Sequence, residues 1–343
     1  MRVYLYEMVS GGGAFLPAAV TNGDTCLAEL GDFHQVPNLI ADGSQMLEQL
    51  VRLFLNLPDF EVWISVDSRL KSFGEHLQAI TNSAGASPMV LFADPTTPWA
   101  VFEECCRGAD RSILVAPELA NLLEIAVGKC LIAGGKMLGA DKKLRKLGIN
   151  KVALHRWAEE HHVEMPAWGL LVDGEISGGV DLVNAICKPV MGTGGVGVRL
   201  LDDDFPHVGS WLVENVVPGK SVSVAAIVTA EGPVLLPPCY QSLGGEFGFE
   251  FQDGAVMKDP VHIERTWRLA HKVFSKLPLE ESRGWIGLDL ILGEESDKDV
   301  LIEVNPRITS TIEAVASLAE FVPFQSDKST NLSELMLAAA IGK

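Results

Sequence analysis

The chain has 343 residues, 48% apolar and 21% charged, with a formal net charge of −18. That length allows about two or three domains with ample core, and the composition excludes a disordered chain. The negative charge is spread along the sequence, which argues against a nucleic acid or an anionic membrane as partner and leaves small molecules held in local basic pockets.

The cysteines Cys26, Cys105, Cys106, Cys130, Cys187 and Cys239 show no C-x-x-C spacing, so buried reduced thiols are expected rather than disulfides or zinc ligands. No apolar stretch nears the length of a membrane span, and the expected location is the cytoplasm.

In chain order, residues 3–8 read as a strand ending in Ser10-Gly11-Gly12-Gly13, a turn that opens a short helix. Residues 44–57 carry apolar residues at helical spacing behind a capping serine. A strand at 61–66, a helix at 68–81, strands at 88–92 and 112–115 and a helix at 99–106 complete an alternating pattern. Such alternation implies an open parallel α/β domain. The glycine run lacks the G-x-G-x-x-G of a dinucleotide fingerprint, which disfavours a Rossmann cofactor site.

Residues 117–138 read as one long helix ended by Gly134-Gly135. The basic run Lys142, Lys143, Arg145, Lys146 reads as a solvated helix face. Asn150 caps a helix from Lys151 to about His162, and Pro166 marks its exit. His161-His162 reads as a wet helix end. From residue 167 the pattern turns β-rich, with strands at 168–172, 185–189, 211–217, 221–229 and 234–237. A helix at 261–277, a hairpin at 284–307 and helices at 312–319 and 331–340 follow. Strands in runs followed by helices indicate an α+β domain with a mostly antiparallel sheet.

The hairpin carries the sharpest chemistry. Apolar runs at 285–292 and 300–304 flank a polar loop, and closure about Ser296 sets Asp289 opposite Glu303, with Asn305 on the same face as Glu303. Facing carboxylates repel unless a cation lies between them, and this oxygen set suits Mg²⁺ shared with phosphates. The plain alternative is a polar hairpin whose acids face solvent. Earlier, Lys188 leads into a loop with Gly192, Gly194, Gly195 and Gly197, whose backbone N–H groups could approach phosphate oxygens. The stretch 211–224 has a strand ending near Gly219. Its backbone could pair with an adenine edge, and Glu214 could accept from the adenine amino group; an ordinary hairpin turn is the competing reading.

Lys151, Lys188, Glu214-x-x-x-x-Gly219, Asp289 and Glu303-x-Asn305-Pro306-Arg307 occur in that order, and the ordered set resembles the ATP-grasp superfamily over about residues 140–320. The resemblance implies an N-terminal pre-ATP-grasp α/β domain (1–135) followed by a two-subdomain ATP-grasp fold (136–185 and 186–343). It implies an ATP-dependent carboxylate–amine ligase that works through an acyl phosphate. Lys151 and Lys188 would reach the ATP phosphates and the adenine rim. Gly192, Gly194 and Gly195 would border the phosphates. Glu214 and the backbone to Val217 would hold adenine. Asp289, Glu303 and Asn305 would carry Mg²⁺, with Mn²⁺ as a substitute, and Arg307 would stabilise the transferring phosphoryl. Ser221 stands where many members place a ribose-binding acid. Gly287 stands where D-alanine ligase-like members carry an arginine. The loop 192–197 and the segment 241–253 are the candidate lids, the first preferred.

Shorter matches at 7–13, 116–124 and 219–224 resemble the archaeal tyramine–glutamate ligase group of methanofuran biosynthesis, which implies glutamate as the activated acid. The expected partners are a small carboxylate and an amine. A homodimer is compatible with the superfamily, although the sequence is silent on it. The rival readings are a carboxylase-type enzyme that activates bicarbonate and a non-catalytic nucleotide-binding protein of the same fold.

Overall fold

A computed structural model describes residues 1–15, 37–117, 121–192, 197–201, 209–245 and 248–342. The chain begins with β1 (Arg2–Glu7), α1 (Pro37–Leu55), β2 (Glu61–Asp67), α2 (Lys71–Gln78), β3 (Met89–Ala93), α3 (Pro98–Gly108), β4 (Arg111–Val115) and α4 (Leu122–Ile132). The four strands form a parallel sheet in the order β3-β2-β1-β4. Strand β1 shows why both faces must be covered. Val3 and Leu5 pack with Leu50 and Phe54 of α1, while Tyr4 and Tyr6 pack with Trp99 and Phe102 of α3. Alternation of side chains along one buried strand feeds two cores.

Then come α5 (Lys142–Ile149), α6 (Lys151–His161), β5 (Trp168–Val172), β6 (Glu175–Gly178), β7 (Ala185–Pro189), β8 (Arg199–Leu200) and β9 (Ser210–Asn215). These strands form an antiparallel sheet in the order β6-β5-β9-β7-β8, which joins strands from both sides of residue 185. Next are β10 (Lys220–Thr229), β11 (Gly232–Leu235), β12 (Cys239–Gly244), β13 (Glu250–Val256), α7 (Pro260–Phe274), β14 (Gly284–Leu292), β15 (Val300–Asn305), α8 (Ile312–Ala316) and α9 (Leu332–Ile341). The central sheet runs β13-β12-β10-β14-β15, with β11 also on β10.

The two faces of β10 and β14 explain where the site lies. Val222, Val224, Ala226 and Val228, with Leu288, Leu290 and Leu292, pack under α5, α6 and α7. On the other face, Ala225, Ile227 and Trp285 pack against α8 and α9. That second face turns polar at Ser221, Ser223 and Asp289, and there a cavity opens toward the smaller sheet.

Several expected elements differ. Ser44 does not cap its helix: α1 already begins at Pro37, seven residues earlier in the sequence. The helix expected over 68–81 opens as a 3₁₀ turn at Ser68–Leu70 and α2 ends at Gln78. Among the described residues of the long helix expected over 117–138, α4 begins after the left-handed Asn121 and ends before Gly134 at φ +85°; residues 118–120 lie outside the described residues. The basic run is not wholly solvated: Arg145 is buried, pairs with Glu124 at 2.5 Å and donates to the Ala140 carbonyl at 2.7 Å. Strands β6 and β8 were not foreseen. The candidate lid at 241–253 forms most of the β12–β13 ladder, so this segment belongs to the sheet.

Candidate active site

Asn150 accepts from the Ala153 N–H and starts α6, as its position before Lys151 implies. The first turn of α6 then aims Lys151 at the hairpin, where its Nζ lies 3.3 Å from Glu303 and donates to the Gly192 carbonyl. One helical turn later, on the same side, His155 enters the site. Its Nε2 is 2.6 Å from one Glu214 oxygen, and Lys188 Nζ from β7 is 2.5 Å from the other. All three are buried. Burial alone would raise the Glu214 carboxyl, but Lys188 and His155 hold it down at about 2. Burial alone would lower the Lys188 ammonium, but Glu214, Glu303 and Asp289 raise it above its ordinary value. The carboxylate expected to accept from adenine is therefore engaged by two protein donors. His155 stacks on Trp168 with ring centroids 5.0 Å apart.

The hairpin register agrees with the sequence reading. Asp289 faces Glu303, Leu288 faces Val304 and Gly287 faces Asn305, and a bulge then shifts the pairing so that Leu290 meets Leu301. The extra residue is Ile302, and it lines the cavity beside Glu303. Asp289 is shifted the other way from Glu214: burial, then Glu303, push it up to about 6. Asn305 Nδ2 donates to one of its oxygens at 2.7 Å and Gln241 Nε2 to the other at 2.9 Å. Because the amide nitrogen of Asn305 serves Asp289, its carbonyl oxygen remains the free end of the amide. Among the described residues no group of three or more His, Cys, Asp or Glu is placed to hold a metal ion by itself. Two carboxylates and one amide oxygen would make only a partial oxygen shell, which fits a hard divalent cation completed by phosphate oxygens and water.

One cavity of about 320 Å³ brings Lys188, Glu214, Val217, Ser221, Asp289, Glu303, Asn305 and Arg307 together. That volume lies within the range of small-molecule sites. Lys151 and Gly192 do not line it, although Lys151 touches Glu303, which does; Gly194 and Gly195 lie outside the described residues. Arg307 lines the wall with Thr309 and Thr311, donates to the Ile308 carbonyl at 3.1 Å, and its charge reaches Glu7 at the end of β1. Gly287 has no room for a side chain, since a Cβ there would lie 2.7 Å from Thr309 Cγ2, so Thr309 occupies the space an arginine would need.

Sequence reasoning missed His155, Gln241 and Glu7. His155 follows Lys151 by four residues, a spacing that could have flagged it. Gln241 is brought in by β12, a strand the sequence did not reveal.

The sequence of residues 149–311 matches the family described as ATP-grasp domain. No curated protein sequence is significantly similar to the chain. Among solved structures, the fold is similar to a protein from Archaeoglobus fulgidus ascribed to the ATP-grasp superfamily (TM-score 0.65, 15% identity, 98% of this chain and 88% of that one). It is also similar to D-alanyl-alanine synthetase A from Vibrio cholerae (0.58, 14%, 99% and 97%). A third is an L-amino acid ligase from Bacillus licheniformis (0.56, 13%, 99% and 73%). Residues 149–311 thus match the ATP-grasp domain model, and the fold of the chain as a whole is similar to that of these solved structures.

Proposed function

We propose that the chain is an ATP-dependent ligase that joins a small carboxylic acid to an amine. The observation that carries this reading is the convergence, in one cavity, of a buried ammonium (Lys188), two facing carboxylates (Asp289 and Glu303) and a guanidinium (Arg307). Such a set has no use in an ordinary hairpin, where facing acids only cost stability. It suits a polyphosphate, whose charge needs cations on several sides.

In this reading the base enters beside Val217 and the triphosphate extends toward the hairpin. Asp289, Glu303 and the Asn305 carbonyl would hold Mg²⁺, or Mn²⁺ in its place. The metal would supply charge neutralisation at the phosphate oxygens. Lys188 and Lys151 orient the terminal phosphoryl group. An oxygen of the substrate carboxylate attacks that phosphorus, the bond to the bridging oxygen breaks, and ADP leaves. Arg307 faces the charge that builds on the transferred group. The amine then attacks the acyl carbon, phosphate departs with the carboxylate's original oxygen, and the amide remains. The resemblance to tyramine–glutamate ligases makes glutamate the first acid to test. Of the two candidate lids, 241–253 is mostly built into a sheet, and residues 193–196 of the other, 192–197, lie outside the described residues.

The test is ADP release across a panel of acids and amines, with ¹⁸O placed in the carboxylate. The expected result is ADP formation that requires both substrates, with one labelled oxygen recovered in phosphate. ADP formation with bicarbonate and no amine would select the carboxylase reading. No ADP with any pair would select the non-catalytic one.

A further inference from the structure

We infer that Gln241 reads the sugar of the nucleotide and ties that contact to Asp289. The inference rests on the ATP reading above, which sets the base near Val217 and the phosphates near Asp289. Strand β10 runs between those two ends. Gly219 precedes it, Ser221 lies next, and Ser223 is the register partner of Asp289. Two residues of extended strand span about 7 Å, so Ser221 stands between base and phosphates, where a sugar must cross. Strand β12 lies alongside, with Val222 paired to Tyr240 and Ser223 to Cys239, so Gln241 falls beside Ser221 one step further along.

The side chains form a directed chain. Ser221 Oγ donates to Gln241 Oε1 at 2.9 Å, and Gln241 Nε2 donates to Asp289 Oδ1 at 2.9 Å. Both residues line the cavity. The single proton of Ser221 is thereby used, and the pair retains acceptor capacity on two neutral oxygens, beside the second N–H of the Gln241 amide. Two adjacent acceptors fit the two hydroxyl donors of a ribose. No carboxylate is needed there, and none would be comfortable so near Asp289 and Glu303.

The test is binding of ATP, 2′-deoxy-ATP and 3′-deoxy-ATP to the whole protein, in EDTA and in Mg²⁺. Wild type is expected to prefer ATP by about three- to ten-fold, the range of one neutral hydrogen bond. In Gln241→Ala the preference should fall to within about two-fold in EDTA, where the metal contributes nothing. In the same variant the Mg²⁺ half-saturation should rise, because Asp289 has lost a donor. A structural defect alone would weaken all three nucleotides equally and leave their ratio intact; that outcome overturns the inference. Equal affinities in wild type overturn it as well, while leaving the ATP reading standing. No ATP binding at all removes both. Ser221→Ala, which deletes only a hydroxyl, is read in the same way if Gln241→Ala does not fold.

Discussion

Replacing Lys188 with methionine should destabilise the protein even without nucleotide, because Lys188 is half of a buried charge pair. The Glu214 carboxyl is held at about 2 against an ordinary value of 4.5, a gap of about 3 kcal/mol at neutral pH. Removing one member of a buried pair costs about 3–5 kcal/mol, and the low end applies here because His155 still faces Glu214 at 2.6 Å. For a unit the size of residues 149–311, 3 kcal/mol lowers Tm by about 6–12 °C. The assay is thermal unfolding by circular dichroism at pH 7 and pH 4.5. Since the folded-state value lies below the ordinary one, the stabilisation by Glu214 is present above about 4.5 and fades as pH falls toward 2. Without Lys188 that carboxyl titrates higher, so the variant's deficit should be largest at pH 7 and shrink at pH 4.5. Adding Glu214→Gln to Lys188→Met should restore at least half the loss. A single variant as stable as wild type, or a deficit that neither acid nor Glu214→Gln relieves, would refute the reasoning.

Asp289→Asn and Glu303→Gln should each raise the Mg²⁺ half-saturation of ADP release at least about ten-fold, since each removes one anionic ligand from a partial shell; identical metal titrations in both variants would take the hairpin out of the site. Gly148→Ala would stabilise an exposed helix by about 1 kcal/mol, but here the added Cβ would sit 2.4 Å from Pro306 Cδ and 2.7 Å from the Val304 carbonyl, so Tm should fall and the Mg²⁺ requirement rise. Arg145→Met leaves the Ala140 carbonyl without its guanidinium donor and should cost about 2 kcal/mol, read as a lower urea midpoint with an unchanged slope.

The sequence made most of the architecture legible where one period ran uninterrupted. Strand β1, strand β7 and the helix after Asn150 announced themselves through alternation or a cap. The facing of Asp289 and Glu303 was read from loop symmetry about Ser296, but the pairs nearest the turn would set Ile302 opposite Asp289, and it is the bulge, which no local signal reports, that brings Glu303 there. What stayed hidden depended on contacts distant in sequence. The β12–β13 pair carries glycines and exposed polar residues, so its sheet character comes from neighbours rather than from its own pattern. The engagement of Glu214 by His155 joins residues 59 positions apart, which no local signal reports. Arg145 reads as a surface cation until α4 brings Glu124 to it.

The bulge in β15 has a bearing on any attempt to transplant this hairpin. A regular strand must send neighbours to opposite sides, so an oily wall and an acid facing one cavity could not be consecutive. By accommodating Ile302 as a supernumerary residue, the strand offers the guest both a greasy shelf and a charge at one address while Leu301 and Val304 stay in the interior. An engineer who grafted Asp289, Glu303 and Asn305 onto an unkinked scaffold would copy the chemistry and lose the shelf.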